Sequence, residues 1–128
     1  MGQNNWRYDV DASAECYALE DIPQGAIVQQ AAGGREVYDG TGTPYGIAVY
    51  AAEKDQRVDV AIRGTIDVLV GAAITTAGDT VFAGSDGRTA ATGDWAIGQA
   101  TDARLVTQAG TTVTVNLNIR ELHTIPSP

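Results

Sequence analysis

The sequence has little of the chemistry on which most enzymes and metal proteins depend. Its 128 residues include one cysteine, Cys16, and one histidine, His123. A single cysteine excludes an intramolecular disulfide and any zinc site built from several cysteines, and a single histidine excludes every site that needs two. We therefore expect no bound metal and no cofactor.

Positive charge and long apolar runs are also scarce. Eight lysine and arginine residues stand against sixteen acidic ones, which gives a net charge of -8. Such a charge repels nucleic acid and anionic lipid. No apolar run approaches the roughly 18 residues of a membrane helix, and the first residues lack the basic and apolar parts of a signal peptide. The sequence therefore predicts neither nucleic acid nor membrane as a partner.

Candidate catalytic residues are few and poorly placed. The three serines are Ser13, Ser85 and Ser127, and none lies in a Gly-x-Ser-x-Gly elbow. His123 stands near the C-terminus beside no cluster of acids. A lone cysteine such as Cys16 is more often a small buried thiol than half of a thiolate pair. We expect no catalytic residues and a protein that is not an enzyme.

The residues that are abundant are β-branched residues and glycine. Valine and isoleucine number 21, leucine and methionine only 6, and there are 14 threonines and 15 glycines. Strands favour β-branched residues, whereas helix surfaces are built from Leu, Lys, Glu and Gln. The length is that of one domain. We therefore predict a single, mostly β domain.

Two segments have the period-two alternation of strands. In residues 58–70 the even positions are apolar except for Gly64, so we expect one buried face with a bulge or bend at that glycine. Residues 112–119 alternate apolar side chains with Thr and Asn. Shorter strands are predicted at 26–30, 45–50, 80–83, 95–100 and 104–108, with turns between them. This spacing is typical of a sandwich or a barrel.

Two parts of the chain, residues 22–64 and 74–119, resemble each other. The matched positions are Gly25 and Val28 with Gly78 and Val81, Gly34-Arg35 with Gly87-Arg88, Gly46 and Ala48 with Gly98 and Ala100, and Val58, Val60 and Ile62 with Val113, Val115 and Leu117. The separation between partners changes little from one match to the next. An internal duplication explains the match, and so does chance recurrence in a chain rich in Gly, Ala and Val. Both interpretations stay open at this point.

Residues 1–20 are predicted to form an extended N-terminal arm that precedes a single β domain at 21–128. The arm has large apolar side chains and no counterpart in the second half; they are Trp6, Tyr8, Val10, Tyr17 and Leu19. Burying each such side chain stabilises a structure by about 1.5–3 kcal/mol. The arm therefore packs either on its own domain or, by strand addition for example, on a partner. We predict that these five residues contact a partner.

One stretch of the sequence resembles the capsid cement (head decoration) proteins of tailed phages. In residues 70–88, a strand end of small residues leads to Ala77-Gly78-Asp79-Thr80-Val81 and then to the turn Asp86-Gly87-Arg88. Residues 97–100, 45–48 and 21–28 are similar to further elements of that family. The resemblance covers about residues 20–119, and the arm matches nothing in it.

The resemblance implies a compact β-barrel-like module on the outer face of a phage capsid, as part of the virion. Its partners would be the major capsid protein, whose neighbouring subunits it would cement, and further copies of itself in a homotrimer. No catalytic residues come with this family.

Two other functions compete with the cement role. A carbohydrate- or fibre-associated β binding module on a phage particle needs an exposed aromatic platform. The available aromatics are Trp6, Trp95, Tyr38, Tyr45 and Tyr50. A small trimeric nucleotide hydrolase needs acid and serine motifs, and the sequence has none in recognisable form.

Overall fold

A computed structural model of the chain describes residues 8–11, 17–71, 78, 80–90, 93–101 and 112–121. Regular structure within these residues consists of nine strands and no helix. The strands are β1 (Tyr8–Asp11), β2 (Ile27–Ala31), β3 (Gly34–Val37), β4 (Pro44–Ala48), β5 (Val60–Leu69), β6 (Thr80–Ala83), β7 (Thr89–Ala90), β8 (Trp95–Ala100) and β9 (Thr112–Glu121). The predicted mostly β class is confirmed.

Most of the predicted strands are present. Residues 80–83 and 95–100 form β6 and β8 as predicted, and β2, β4 and β9 differ from prediction only at their ends. The sequence does not predict β3 and β7, because Gly34-Arg35 and Gly87-Arg88, which begin or precede them, have the pattern of turns. The predicted strand at 104–108 lies outside the described residues.

The nine strands form one antiparallel sheet with the order β3-β2-β4-β5-β9-β8-β6-β7, and β1 pairs with β5. Hydrogen bonds join parts of the sheet that are distant in this order: Ile27 N donates to Gly87 O (2.8 Å), and Leu69 N donates to Gly25 O (3.0 Å). The sheet is therefore curled into a half-barrel, in agreement with the predicted barrel-like module.

The buried apolar side chains form two clusters. The first cluster is Ile27, Tyr38, Ile47, Val49, Ala61, Ile66, Val68, Val70, Val81, Ala83, Ile97, Ala100, Val113, Val115 and Leu117. The second cluster is Ala18, Ile22, Ala26, Val28, Ala48, Ala52, Val58 and Val60. The central strand β5 contributes to both.

The expectation of one continuous buried face along residues 58–70 is wrong. Val60 lies in the second cluster, whereas Ile66 lies in the first together with Ala61, an odd-numbered position. The alternation of side chains therefore shifts by one residue between 61 and 66. Gly64, with φ of 96°, lies in this interval, and the pairing of β1 with β5 changes register beside it. A bulge of this kind exchanges the two faces of a strand.

The sheet has two halves with the same strand order, β2–β5 and β6–β9. In each half the second strand (β3 or β7) lies at the edge of the sheet, next to the first strand (β2 or β6). The fourth strand of each half (β5 or β9) lies at the centre. The same residue pairs face each other across neighbouring strands in both halves. Val28 pairs with Gly46 in the first half and Val81 pairs with Gly98 in the second, and a register shift follows each pair. Ala48 likewise pairs with Val60, and Ala100 pairs with Val115. These positions are the same ones that the sequence matches between its two similar parts.

The matched Gly-Arg turns do not occupy equivalent places. In the first half Gln30 of β2 pairs with Arg35 of β3. In the second half the residue equivalent to Gln30 is Ala83 of β6, which pairs with Thr89 of β7. Thr89 rather than Arg88 therefore takes the place of Arg35, because the turn before β7 is one residue longer.

Candidate partner-binding surface

The first described part of the N-terminal arm lies along the chain's own sheet. β1 pairs with β5, so that Tyr8 is opposite Gly64 and Val10 is opposite Ala61. The structure describes the backbone of these two residues, and Trp6 lies outside the described residues. The arm is thus placed as a strand by its backbone, and the contact of these three side chains with a partner stays a prediction.

Residues 17–20 cover the outer edge of β3. Arg35 N donates to Tyr17 O (2.9 Å), Leu19 N donates to Arg35 O (2.8 Å), and Val37 N donates to the Glu20 carboxylate (2.9 Å). A side chain at Gly34 would collide with the Tyr17 carbonyl, so the glycine permits this close approach. Ala18 is fully buried in the second cluster. The backbone of this segment therefore belongs to the domain.

The side chain of Tyr17 points outward from this fixed backbone. It is 48% exposed, and the paired residue across the chain is Arg57, whose side chain is 52% exposed. Arg57 Nε lies 3.3 Å from Asp59 Oδ1. Tyrosine and arginine are enriched among the residues that dominate binding energy at protein interfaces. We call Tyr17 and Arg57 the Tyr17 surface. Leu19 is half-buried beside Gly34 of β3.

Arg35 is the residue of this region that the sequence does not single out. Its side chain is fully buried, its Nε donates to Gln30 Oε1 (2.8 Å), and its guanidinium lies 4.8 Å from the centre of the Tyr45 ring. A buried guanidinium held by an amide oxygen and an aromatic face is fixed in position. Since the Arg35 backbone binds Tyr17 and Leu19, this residue positions the Tyr17 surface. The sequence gives no signal for it, because arginine is usually exposed.

The aromatic side chains required by a sugar-binding platform are mostly buried. Tyr38 is buried in the first cluster, Trp95 is half-buried against it, and Tyr45 packs under Arg35. Tyr50 is 57% exposed. Tyr17 and Tyr50 are the exposed large apolar side chains within the described part of the chain.

Two titratable groups lie close together near the β3–β4 connection. Burial raises the pKa of the Tyr38 hydroxyl, and the negative charges of Asp94 and Asp39 raise it further. The pKa of Asp39 is lowered because its carboxylate accepts hydrogen bonds from the Thr41 backbone N–H (2.9 Å) and the Thr41 hydroxyl (2.7 Å). The two hydrogen bonds to Asp39 hold the turn at residues 39–41.

The described residues bring together no recognisable catalytic or metal centre. They contain no group of three His, Cys, Asp or Glu side chains that could hold a metal ion. Ser85 lies in the turn before β7, and Ser13, Cys16, His123 and Ser127 lie outside the described residues. The described part of the chain also contains no helix suited to crossing a membrane.

The chain is similar to a known protein family and to a protein of known structure. The family model described as phage cement protein matches residues 11–117. Among solved structures, the N base of head fiber gp8.5 in bacteriophage phi29 matches with a TM-score of 0.61 at 21% sequence identity, over 84% of this chain and 94% of that chain. At this identity the second match shows a shared fold. No curated protein matches this chain.

Proposed function

Because the chain belongs to the phage cement protein family, we propose that it binds the outer surface of a phage capsid and cements neighbouring major capsid protein subunits. The observation that carries this proposal is the family match, which spans residues 11–117 of 128. That family consists of structural phage proteins, and the fold shared with a head fiber base agrees with a structural role on the capsid.

A rigid module that touches two capsid subunits stabilises the shell by mass action. Any ligand that binds the assembled shell and not the separated subunits adds its binding free energy to the stability of the assembly. The half-barrel supplies the rigidity, and the Tyr17 surface supplies an exposed aromatic and a cation on a fixed backbone. We propose that this surface, together with the arm residues Trp6, Tyr8, Val10 and Leu19, contacts the major capsid protein.

The net charge favours the outer face of the shell over the inner one. A chain with a charge of -8 is repelled by packaged DNA and gains nothing from binding it. We further propose that three copies associate as a homotrimer on the capsid, which would let the module contact several subunits at once.

The direct test is binding to capsids of the parent phage. The purified chain should sediment with expanded shells that lack it, saturate at a fixed ratio to the major capsid protein, and raise the temperature at which the shells disrupt. A chain that does not sediment with shells, or that binds without any gain in shell stability, would contradict the cement role.

The contribution of the Tyr17 surface is tested by one matched pair of variants. Tyr17→Ala should weaken shell binding by at least about tenfold, since truncating a dominant interface residue costs roughly 2 kcal/mol or more. Tyr50→Ala removes the other exposed tyrosine and should bind shells as the parent does. Equal binding by both variants would remove the Tyr17 surface from the contact.

A fibre-associated module is the second candidate, favoured by the shared fold with the N base of a head fiber. Maps of the decorated particle separate the two functions. A compact density that bridges capsid subunits supports cementing, whereas a density that mounts a projecting fibre supports the alternative.

A further inference from the structure

A cleft of about 390 Å³ lies where the start of β2, the end of β4 and the adjacent ends of β5 and β9 meet. Its walls are the small or apolar residues Gly25, Ala48, Val49 and Ile66. At one wall the backbone of Gly25 lies close to the ends of β4 and β5. Two hydrogen bonds fix this approach, from Gly25 N to Ala48 O (2.9 Å) and from Leu69 N to Gly25 O. The volume is within the range of small-ligand sites.

Three polar side chains, all of exposed residues, border the cleft: Gln24, Asp67 and Thr112. Asp67 accepts a hydrogen bond from the Thr114 hydroxyl at Oδ1 (2.6 Å), which fixes the carboxylate and leaves Oδ2 for another donor. The carboxylate accepts hydrogen bonds, and the amide and the hydroxyl can both donate and accept them. The three side chains together can therefore bind the hydroxyl groups of a ligand. None of the described residues that line the cleft is basic, and the chain is strongly acidic, so the arrangement does not suit a phosphate or a carboxylate ligand.

An exposed aromatic side chain stands at the same end of the sheet. Tyr50, 57% exposed, directly follows the lining residue Val49. An exposed aromatic face packs well against the apolar C–H face of a sugar ring, while hydroxyl groups at the ring edge take hydrogen bonds. This side chain is not needed by either apolar cluster, which leaves it available to a ligand.

From these observations we propose that the cleft is a binding site for a neutral saccharide, with Asp67, Gln24 and Thr112 bound to sugar hydroxyl groups and Tyr50 packed on the ring. Neither Tyr17 nor Arg57 is among the residues that line the cleft, so the saccharide site and the Tyr17 surface consist of different residues. Saccharide binding would give a capsid protein a second contact, with the glycans of a cell surface, in addition to its contact with the shell.

The test is titration of the isotope-labelled full chain with glucose, galactose and N-acetylglucosamine and with short oligomers of each, followed by NMR. The expected dissociation constant is on the order of 1 mM for a single sugar ring, given the free energy that a ligand of this size can supply. The expected shifts in resonances are confined to the cleft residues and Tyr50. A folded chain that binds none of these sugars overturns the proposal.

Variants tie the binding to the cleft. Asp67→Asn keeps an acceptor for Thr114 and should weaken sugar binding about tenfold or more, as should Tyr50→Ala. The matched control Asp86→Asn changes an exposed turn aspartate that does not line the cleft and should bind sugars normally. Sugar binding that survives Asp67→Asn overturns the assignment. If Asp67→Asn unfolds the chain, Gln24→Ala replaces it with the same expected loss.

The same variants distinguish this proposal from the cement role. Asp67→Asn and Tyr50→Ala should bind shells as the parent does, and loss of shell binding by either would place the cleft in the capsid contact and overturn the saccharide site. A parent chain that binds sugars and not shells would contradict the cement role and leave the saccharide site supported.

Discussion

Gly64 is the residue on which the division of the core into two clusters depends. Its φ of 96° lies in the left-handed region, which residues with a side chain rarely adopt. Val60 before it and Ile66 after it are an even number of positions apart, so a regular strand would place them on the same face. They nevertheless lie in different clusters. A residue confined to negative φ would keep β5 straight and point one set of these side chains away from its cluster.

Replacing Gly64 with valine should therefore destabilise the fold. A β-branched residue held at positive φ costs about 1–3 kcal/mol, which should lower the melting temperature by several degrees in a domain of this size. Asparagine tolerates this conformation better, so Gly64→Asn should melt between the parent and the valine variant. A Gly64→Val protein that melts within about one degree of the parent would show that this position needs no glycine.

Tyr38 predicts how stability responds to alkaline pH. Its pKa is raised in the folded state by burial and by the charges of Asp94 and Asp39, so the unfolded chain releases this proton first. The folded state then binds more protons than the unfolded state, and stability falls as pH rises above the ordinary tyrosine pKa of 10.0. Urea unfolding of Tyr38→Phe at several alkaline pH values should show a smaller loss of stability than that of the parent, and an equal loss would contradict this role of Tyr38.

At the scale of the strands, the two halves of the sheet use glycine at the same place. A side chain at Gly46 in β4 would collide with the Ala61 carbonyl of β5, and one at Gly98 in β8 would collide with the Asn116 carbonyl of β9. Ala61 and Asn116 directly follow Val60 and Val115, which the sequence matches as equivalent positions of the two long strands. Because the clash, the register and the sequence match agree, we propose that the two halves arose by duplication.

Gly46→Ala and Gly98→Ala should thus both be destabilising, each by roughly 1–3 kcal/mol from overpacking a well-packed position. The loss should be larger at Gly98, because its φ of 150° is rarely adopted by residues with a side chain. Gly33→Asn is the control, because no atom lies within 4 Å of a Cβ built there and asparagine accepts its φ of 87°. Thermal unfolding of the three variants makes the comparison. A large loss at one of the two glycines alone would indicate that the halves are not equivalent.

We propose that the duplicated unit begins with the N-terminal arm. Asp11 pairs with Val60, and Ile66 pairs with Val115, the position that the sequence matches with Val60. β1 lies beside β5, the last strand of the first half, and the second part of β5 lies beside β9, the last strand of the second half. The two segments therefore occupy equivalent places in the two halves. The sequence hides this counterpart, because β1 and the second part of β5 share little beyond their position.

How much of this architecture the sequence predicts differs from strand to strand. The alternation at 112–119 predicts β9 and its buried face, since Val113, Val115 and Leu117 are buried and Asn116 is exposed. The same rule fails along β5, because a bulge at one glycine reverses the faces without changing the pattern of residues. Arg35 is unpredictable for another reason: its role comes from contacts between segments that are distant in the chain.

The oligomeric state belongs to the scale of the whole molecule. The proposed cement role favours a homotrimer on the particle, in which each copy would contact further copies and the shell. Light scattering of the purified chain and a map of the decorated capsid would measure it in both situations. Single, separated copies on the shell would contradict the trimer, whereas monomers in dilute solution alone would not, since assembly that depends on the shell is expected to reverse on release.

The segment 17–20 also affects how readily copies of the protein aggregate at high concentration. An open β-strand edge offers unpaired backbone groups to any neighbouring sheet and is a common route to aggregation. On a capsid surface, copies of one protein would stand at very high local concentration, where even weak edge-to-edge pairing would join them irregularly. By occupying the outer edge of β3 with its own chain, the protein leaves that edge closed to its neighbours. If the chain decorates a shell as proposed, its copies would not polymerise along this edge.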